Sequence, residues 1–179
     1  EARQLYERAA TSLEGLLDAR LLGIVLGNFG TLELAEGHLD RAQECLNRSQ
    51  ALLEQSGDRR SEGLSGARAS VAFALAGKLP EAERCAARAQ RSLRKDPFGR
   101  AIAKLLHGFV DLARAERAHQ EGFAREAAES LARAIAARDE TSSTLHEGRP
   151  IEERSDDIRL YRGMLEPRLA RLRDQIART

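Results

Sequence analysis

Apolar positions recur along most of the chain in steps of three and four residues, with polar positions between them. Near the start, Leu5, Ala9, Leu13 and Leu16 follow this spacing. Such steps place side chains on one face of an amphipathic helix. Strand-favouring Val, Ile and aromatic residues are scarce, whereas Ala, Leu, Arg and Glu, all strong helix formers, are abundant. The sequence therefore predicts an all-α protein.

Caps and turn residues divide this pattern into separate helices. Asp18 and Ser61 can each cap a helix N-terminus, Gly37 and Gly77 can each end a helix, and Pro80 falls in a first turn, where proline is tolerated. The predicted helices cover approximately 1–17, 18–36, 39–55, 61–76, 80–95, 97–120, 123–139 and 155–179. Residues 140–154 are predicted to be a linker, and Pro167 is expected to kink the last helix or to divide it.

The middle of the chain repeats itself. Gly37 and Gly77 are 40 residues apart, and so are Cys45 and Cys85. The cysteines therefore take the same position in successive repeats, which stack about 10 Å apart, roughly one helix diameter. A disulfide needs Cα atoms within about 7 Å, so both cysteines are expected to be free, buried and small.

A third copy is longer. Gly108 precedes Gly122 by 14 residues, whereas Gly30 precedes Gly37 by 7. The first helix of this copy should therefore be two turns longer, with the extra residues 115–120 solvated at its tip. The array is predicted to span 1–139, with a partial first repeat and full repeats at 18–57, 58–96 and 97–139.

The copies resemble tetratricopeptide repeats, whose ordinary period is 34 residues. The residues that match the family pattern are Gly30, Gly37, Ala42, Leu46 and Ser49, then Ser70, Gly77, Ala82, Ala86 and Ala89, then Gly108, Gly122, Ala127, Leu131 and Ala134. The longer period, with phrases such as GNFGTLELAEGHLDRAQECL, LLEQSGDRRSEGL and ERSDDIRL, is similar to extended repeats of bacterial signalling ATPases, kinases and transcriptional regulators, notably those of myxobacteria. Glu33 departs from the pattern, since the family places an aromatic residue there, as Phe73 is in the second copy.

The resemblance implies an α-solenoid of antiparallel helix pairs that form a right-handed superhelix, and we expect the C-terminal helix to cap it. Such arrays have a concave surface lined by the first helix of each pair. The residues expected to line this groove as a protein- or peptide-binding site are Ile24, Asn28, Thr31, Leu34, Leu64, Arg68, Val71, Leu75, Ile102, Leu105, Phe109 and Leu112.

Three occupants are compatible with so apolar a groove, because an exposed apolar strip of this size normally carries a partner. The C-terminal helix, through Ile158, Tyr161, Leu165 and Leu172, can fold back over it. Alternatively, an amphipathic helix of another protein or another domain can bind there. The third possibility is self-association through the same surface.

Charge and motifs narrow the function classes. The chain carries 29 basic and 28 acidic residues, which gives no bulk attraction for nucleic acid or an anionic membrane. Phosphate-binding and nucleophile motifs are missing, and the four histidines lack metal-ligand spacing. His107 is expected to be a packed or groove-lining residue.

We therefore expect a non-catalytic, cytoplasmic interaction and scaffolding module without a cofactor or metal, belonging to a larger bacterial signalling protein. The alternative is a sensory domain that binds a small molecule or peptide and switches an attached kinase, ATPase or transcription-regulator domain.

Overall fold

The computed structural model describes residues 1–146 and 155–178, and side chains within 1–140 and 158–178. These residues form α-helices and no strand, which confirms the all-α prediction. The helices are α1 (Ala2–Leu16), α2 (Ala19–Ala35), α3 (Leu39–Gln55), α4 (Arg59–Leu75), α5 (Leu79–Ser92), α6 (Pro97–Gln120), α7 (Ala124–His146) and α8 (Ser155–Ile176).

Aspartates start the first helices of the repeats. The Asp18 carboxylate accepts a hydrogen bond from the Leu21 N–H at 2.9 Å, and that of Asp58 accepts one from the Ser61 N–H at 3.0 Å. The prediction that Ser61 caps α4 is therefore wrong, because Asp58 caps it three residues earlier. A carboxylate at this position satisfies an N–H group that has no partner inside the helix.

Tight turns join the helices into pairs. Gly37, Gly77 and Gly122, between the two helices of each full repeat, have φ angles of +81°, +73° and +82°. This left-handed conformation is easy for glycine and costly for other residues. Leu17 adopts it at φ 56°, at the position that corresponds to Gly57 one repeat later.

The helix pairs pack α2 on α3, α4 on α5 and α6 on α7, and successive pairs stack on one another, as expected of a helical-repeat solenoid. Glycines permit the close approach within a pair. A Cβ atom on Gly23 would lie 2.7 Å from Leu53 Cγ, and one on Gly63 would lie 2.6 Å from Leu93 Cγ. The two contacts are equivalent, because the glycine and the leucine of the second each lie 40 residues after those of the first.

Two series of ion pairs also repeat between neighbouring units. Arg20 Nε lies 2.9 Å from Asp58 Oδ2, and Arg60 Nε lies 2.7 Å from Asp96 Oδ2. Each links one first helix to the cap of the next. We call these contacts the cap ladder.

The second helices are linked in the same way. Arg48 pairs with Glu14, and Arg88 Nη2 lies 2.7 Å from Glu54 Oε2, again 40 residues later. Because α1 carries Glu14, it occupies the place of a second helix in a preceding repeat. This agrees with the partial first repeat expected from the sequence.

The third pair is longer, as predicted. Helix α6 has 24 residues, against 17 in α2 and in α4. The expected solvated insert is wrong in part, however, since Ala115 and Ala118 are buried. The extension also shifts the pairing, so that Gly108 faces the Ala134 carbonyl, whereas Gly30 faces that of Ala42. The added turns of α6 thus carry their own apolar stripe.

The C-terminal part differs from the prediction at two points. Helix α7 continues to His146, so the predicted linker 140–154 begins too early, and its residues 147–154 lie outside the described part. No glycine or proline precedes Gly148 there, and nothing in the sequence therefore stops the helix. Helix α8 is not divided at Pro167. Pro167 has no N–H group to donate to the carbonyl of Gly163, four residues earlier. Gly163 is exposed, so its carbonyl can bind water.

Candidate binding groove

Helix α8 covers the third repeat. Its buried residues are Tyr161, Leu165, Leu169 and Leu172. The Tyr161 ring meets the Phe109 ring edge-on, with centroids 6.3 Å apart. Leu165 Cδ2 would lie 3.4 Å from a Cβ atom on Gly108, in the place where the next first helix would stack. The C-terminal helix is therefore a cap on the array, as the sequence predicted.

This cap and the stacking of α4 on α6 remove most predicted groove residues from the surface. The buried ones are Thr31, Leu34, Val71, Ile102, Leu105, Phe109 and Leu112. These side chains belong to the core, and the expectation of an open groove at their positions is not met. The sequence left this open, because cover by the C-terminal helix was one of the three occupants compatible with the groove.

The remaining predicted residues form a shallow surface on the first two repeats. Ile24, Leu64, Arg68 and Leu75 are half-buried, and Asn28 is exposed. Arg68 Nη1 donates to Asn28 Oδ1 at 3.4 Å, which ties α4 to α2 across this surface. The side chains of Ile24 and Leu64 take equivalent positions in the two repeats.

A cleft lies at one end of this surface. It has a volume of about 400 Å³ and lies between the α2–α3 turn, the end of α4 and helix α8. Its lining residues are Leu34, Ala35, Glu36, Gly37, Leu39, Leu75, Met164 and Arg168. Leu34 and Leu75 were predicted to line the groove, whereas Leu39, Met164 and Arg168 were not. Met164 and Arg168 are distant from α2 in the sequence, and no local sequence signal links them to it. We call this site the α8 cleft.

Glu33, which replaces the family's aromatic residue, is fully buried and is held by an arginine and a histidine. Arg3 Nη1 lies 2.5 Å from Glu33 Oε1, and His38 Nδ1 lies 3.0 Å from Glu33 Oε2. Glu33, Glu36 and His38 offer three possible metal ligands within 4.8 Å. The Arg3 guanidinium, which also bonds Glu36, already supplies the positive charge that these carboxylates need.

His107 lies on the side of α6 that faces α5 and α7, away from the α8 cleft. Its Nε2 lies 3.8 Å from Asp111 Oδ2, and Asp111 accepts hydrogen bonds from Arg114 at 2.8 Å and from Arg133 at 3.2 Å. Burial lowers the pKa of His107, against the opposing effect of Asp111. His107 is thus a packed residue, one of the two roles expected for it.

The two cysteines are free, as predicted, but they are half-buried and not buried. Burial is the main cause that raises the pKa of each thiol, which keeps both in the unreactive protonated form at neutral pH. Within the described residues, no helix combines the length and the apolar character that crossing a membrane requires.

Comparison of the chain with protein-family models, with curated proteins and with solved structures finds no match. The α8 cleft and the surface beside it are therefore the observations on which a functional proposal rests.

Proposed function

We propose that the chain is a non-catalytic protein-interaction module that binds an amphipathic helix or peptide of a partner. The observation that carries the proposal is the α8 cleft, a recess of about 400 Å³ with Leu34, Leu39, Leu75 and Met164 in its lining. An apolar recess on a rigid helical scaffold suits the anchor side chains of a helix laid into a groove.

The residues around the cleft indicate how a bound helix would lie and which charge it would carry. Leu75 in the cleft and Leu64 on the shallow surface both belong to α4, so a bound helix can place successive anchors against the cleft and the shallow surface. Arg168 in the cleft lining suits an acidic residue beside the apolar anchors of the partner. Nucleic acid and membrane are not part of the proposal, which agrees with the near-zero net charge of +1.

The resemblance to extended bacterial repeats supports the rest of the proposal. We propose that the chain is of the tetratricopeptide-repeat type and forms the regulatory part of a larger bacterial signalling protein. The proposal also includes a reducing, cytoplasmic location.

Site-specific photo-crosslinking tests the proposal. A photoreactive phenylalanine analogue is placed at Leu75 in the lining of the α8 cleft, and the control carries it at Arg125, an exposed position on α7. We expect a discrete crosslinked partner from position 75 and none from position 125, in cells that express the native protein.

A substitution then checks that capture depends on the cleft. Leu39→Glu puts a charge at a half-buried position beside the apolar lining and should abolish the crosslink, while circular dichroism shows retained helix content. Equal capture from positions 75 and 125, or capture that survives Leu39→Glu, would contradict the proposal. Phe109→Glu is unsuitable for this purpose, because Phe109 is only 1% exposed and its replacement would unfold the protein.

The alternative is a sensory domain in which the α8 cleft holds a small molecule or peptide that switches an attached domain. The volume of the cleft favours this candidate too, because small-molecule sites usually occupy about 300–1,000 Å³. Native mass spectrometry of the purified chain separates the two functions. A retained small molecule that Leu39→Glu releases supports the sensory domain, and a mass equal to that of the chain alone favours the interaction module.

A further inference from the structure

A second cleft, of about 480 Å³, lies at the opposite edge of the array, where second helices end and first helices begin. It is formed by the ends of α3 and α5 and by the start of α4. Its lining residues are Glu54, Gly57, Arg59, Glu62, Arg88, Arg91, Ser92 and Arg94. We call it the arginine cleft.

The charges of this cleft do not balance. Arg88 contacts both carboxylates, with Nε 2.8 Å from Glu62 Oε1 and Nη2 2.7 Å from Glu54 Oε2. Among the residues that the structure describes, Arg59, Arg91 and Arg94 have no acidic partner. Four arginines and two glutamates leave the lining with a net charge of +2. Like charges gathered in a concave surface raise its positive potential and attract anions.

The repeat itself shows which of these arginines the fold requires. The pair between Arg88 and Glu54 recurs one repeat earlier as Arg48 and Glu14, so it belongs to the stacking of the array. The unpaired arginines do not recur. At the positions of Arg59, Arg91 and Arg94, the preceding repeat has Ala19, Ala51 and Glu54, and the following one has Pro97, Ala136 and Asp139. Both neighbouring repeats fold without them.

We propose that the arginine cleft binds a soluble small molecule that carries a diphosphate group. Guanidinium groups bind phosphate oxygens through paired, charge-assisted hydrogen bonds, and three unpaired ones can surround two phosphoryl groups. The Ser92 hydroxyl supplies a further donor. The volume of about 480 Å³ leaves room for an organic part beside the diphosphate. This site is separate from the α8 cleft and does not depend on the function proposed there.

Inorganic pyrophosphate is the probe for this site, measured by isothermal titration calorimetry at constant ionic strength in potassium chloride. The test variant is Arg91→Gln/Arg94→Gln, and the matched control is Arg8→Gln/Arg125→Gln, which removes two exposed arginines, one on α1 and one on α7. All four arginines are exposed, so neither variant should alter folding, and thermal melting confirms this. We expect saturable binding that weakens at least tenfold in the test variant and less than twofold in the control.

Three results would overturn the inference. The first is the absence of saturable binding of pyrophosphate by the wild-type chain. The second is an equal loss of affinity in the Arg8→Gln/Arg125→Gln variant, which would mark general attraction to the surface. The third comes from co-sedimentation with phosphatidylcholine vesicles that contain phosphatidic acid. If these bind the chain through Arg91 and Arg94 and pyrophosphate does not displace them, the cleft recognises a membrane instead.

Discussion

At the scale of single residues, the first two full repeats fill the same space between paired helices in different ways. In the first repeat, Gly30 on α2 makes room for Leu46 on α3, since a Cβ atom on Gly30 would lie 2.6 Å from Leu46 Cγ. In the second, the equivalent residues are Ser70 and Ala86, both buried. The first repeat pairs a glycine with a leucine, whereas the second fills the same place with two small side chains, one from each helix.

This difference between the two repeats predicts a compensating pair of substitutions. Gly30→Ser alone should cost about 1–3 kcal/mol by overpacking, and Leu46→Ala alone about 2–5 kcal/mol by leaving a cavity. The double variant recreates the pair found in the second repeat, so its loss should be smaller than the sum of the single losses by at least 1 kcal/mol. Urea unfolding measures all three. Strictly additive losses would show that the two side chains do not share one space.

The residue scale also shows why some positions are readable from the sequence and others are not. The turn glycines and the match between Cys45 and Cys85 depend on nearby spacing, and both agree with the structure. The role of Glu33 depends on Arg3, which lies 30 residues away on another helix. A charged residue at an apolar position signals such a partner, but the sequence does not say which residue it is.

At the scale of helices, the cap ladder gives one carboxylate two tasks. Asp58 caps α4 and receives Arg20 from the preceding first helix, and Asp96 receives Arg60 in the same way. Burial acts to raise the pKa of both carboxyls. Hydrogen bonds from Ser61 and Arg20 outweigh burial at Asp58, and the nearby Gly99 backbone N–H and Arg60 guanidinium do so at Asp96, so that each pKa lies below its usual 3.8.

A lowered pKa in the folded state fixes the sign of the pH dependence. The unfolded chain binds protons more readily at these carboxyls, so their contribution is complete above pH 3.8 and is lost as the pH falls through the lower folded-state pKa. Asp58→Asn/Asp96→Asn should therefore be less stable than the wild type at pH 7 and should lose less stability between pH 5 and about pH 2. Thermal melting across this range checks the prediction.

Glu44→Gln is the control for the cap ladder, because Glu44 is an exposed side chain in the middle of α3. Its melting temperatures should follow those of the wild type at every pH. A double variant that loses as much stability in acid as the wild type does would show that the ladder carboxylates do not stabilise the fold through their charge.

At the scale of the whole molecule, α8 lies close to a repeat on which it does not pack. In a solenoid each repeat contacts only its neighbours, so distant repeats have no direct connection. Here α8 rests on the third repeat through Tyr161 and Leu165, and its Met164 and Arg168 line the α8 cleft together with residues of the first repeat. The periodicity of the sequence predicts the array and the cap, but not that the cap and the first repeat share one cleft.

The shared cleft predicts a long-range effect of a local cavity. Leu165→Ala should cost about 2–5 kcal/mol and should also speed hydrogen exchange at the α2–α3 turn, since α8 would no longer be held beside it. Leu93→Ala removes an equally buried leucine that packs against Gly63 in the second repeat, and serves as the matched control. Exchange at the turn that rises equally in both variants would show that α8 does not stabilise the first repeat.

The cap ladder has a further consequence for how such a protein can change its length. Removing residues 19–58 would join Asp18 to Arg59, and Arg60 would take the place of Arg20 with Asp96 as its acceptor. Glu14 would then face Arg88 in place of Arg48, so both series of ion pairs would close without a gap. The 40-residue unit is thus self-matching at its two boundaries, and an array of this kind can grow or shrink by whole units through duplication or deletion of one coding segment.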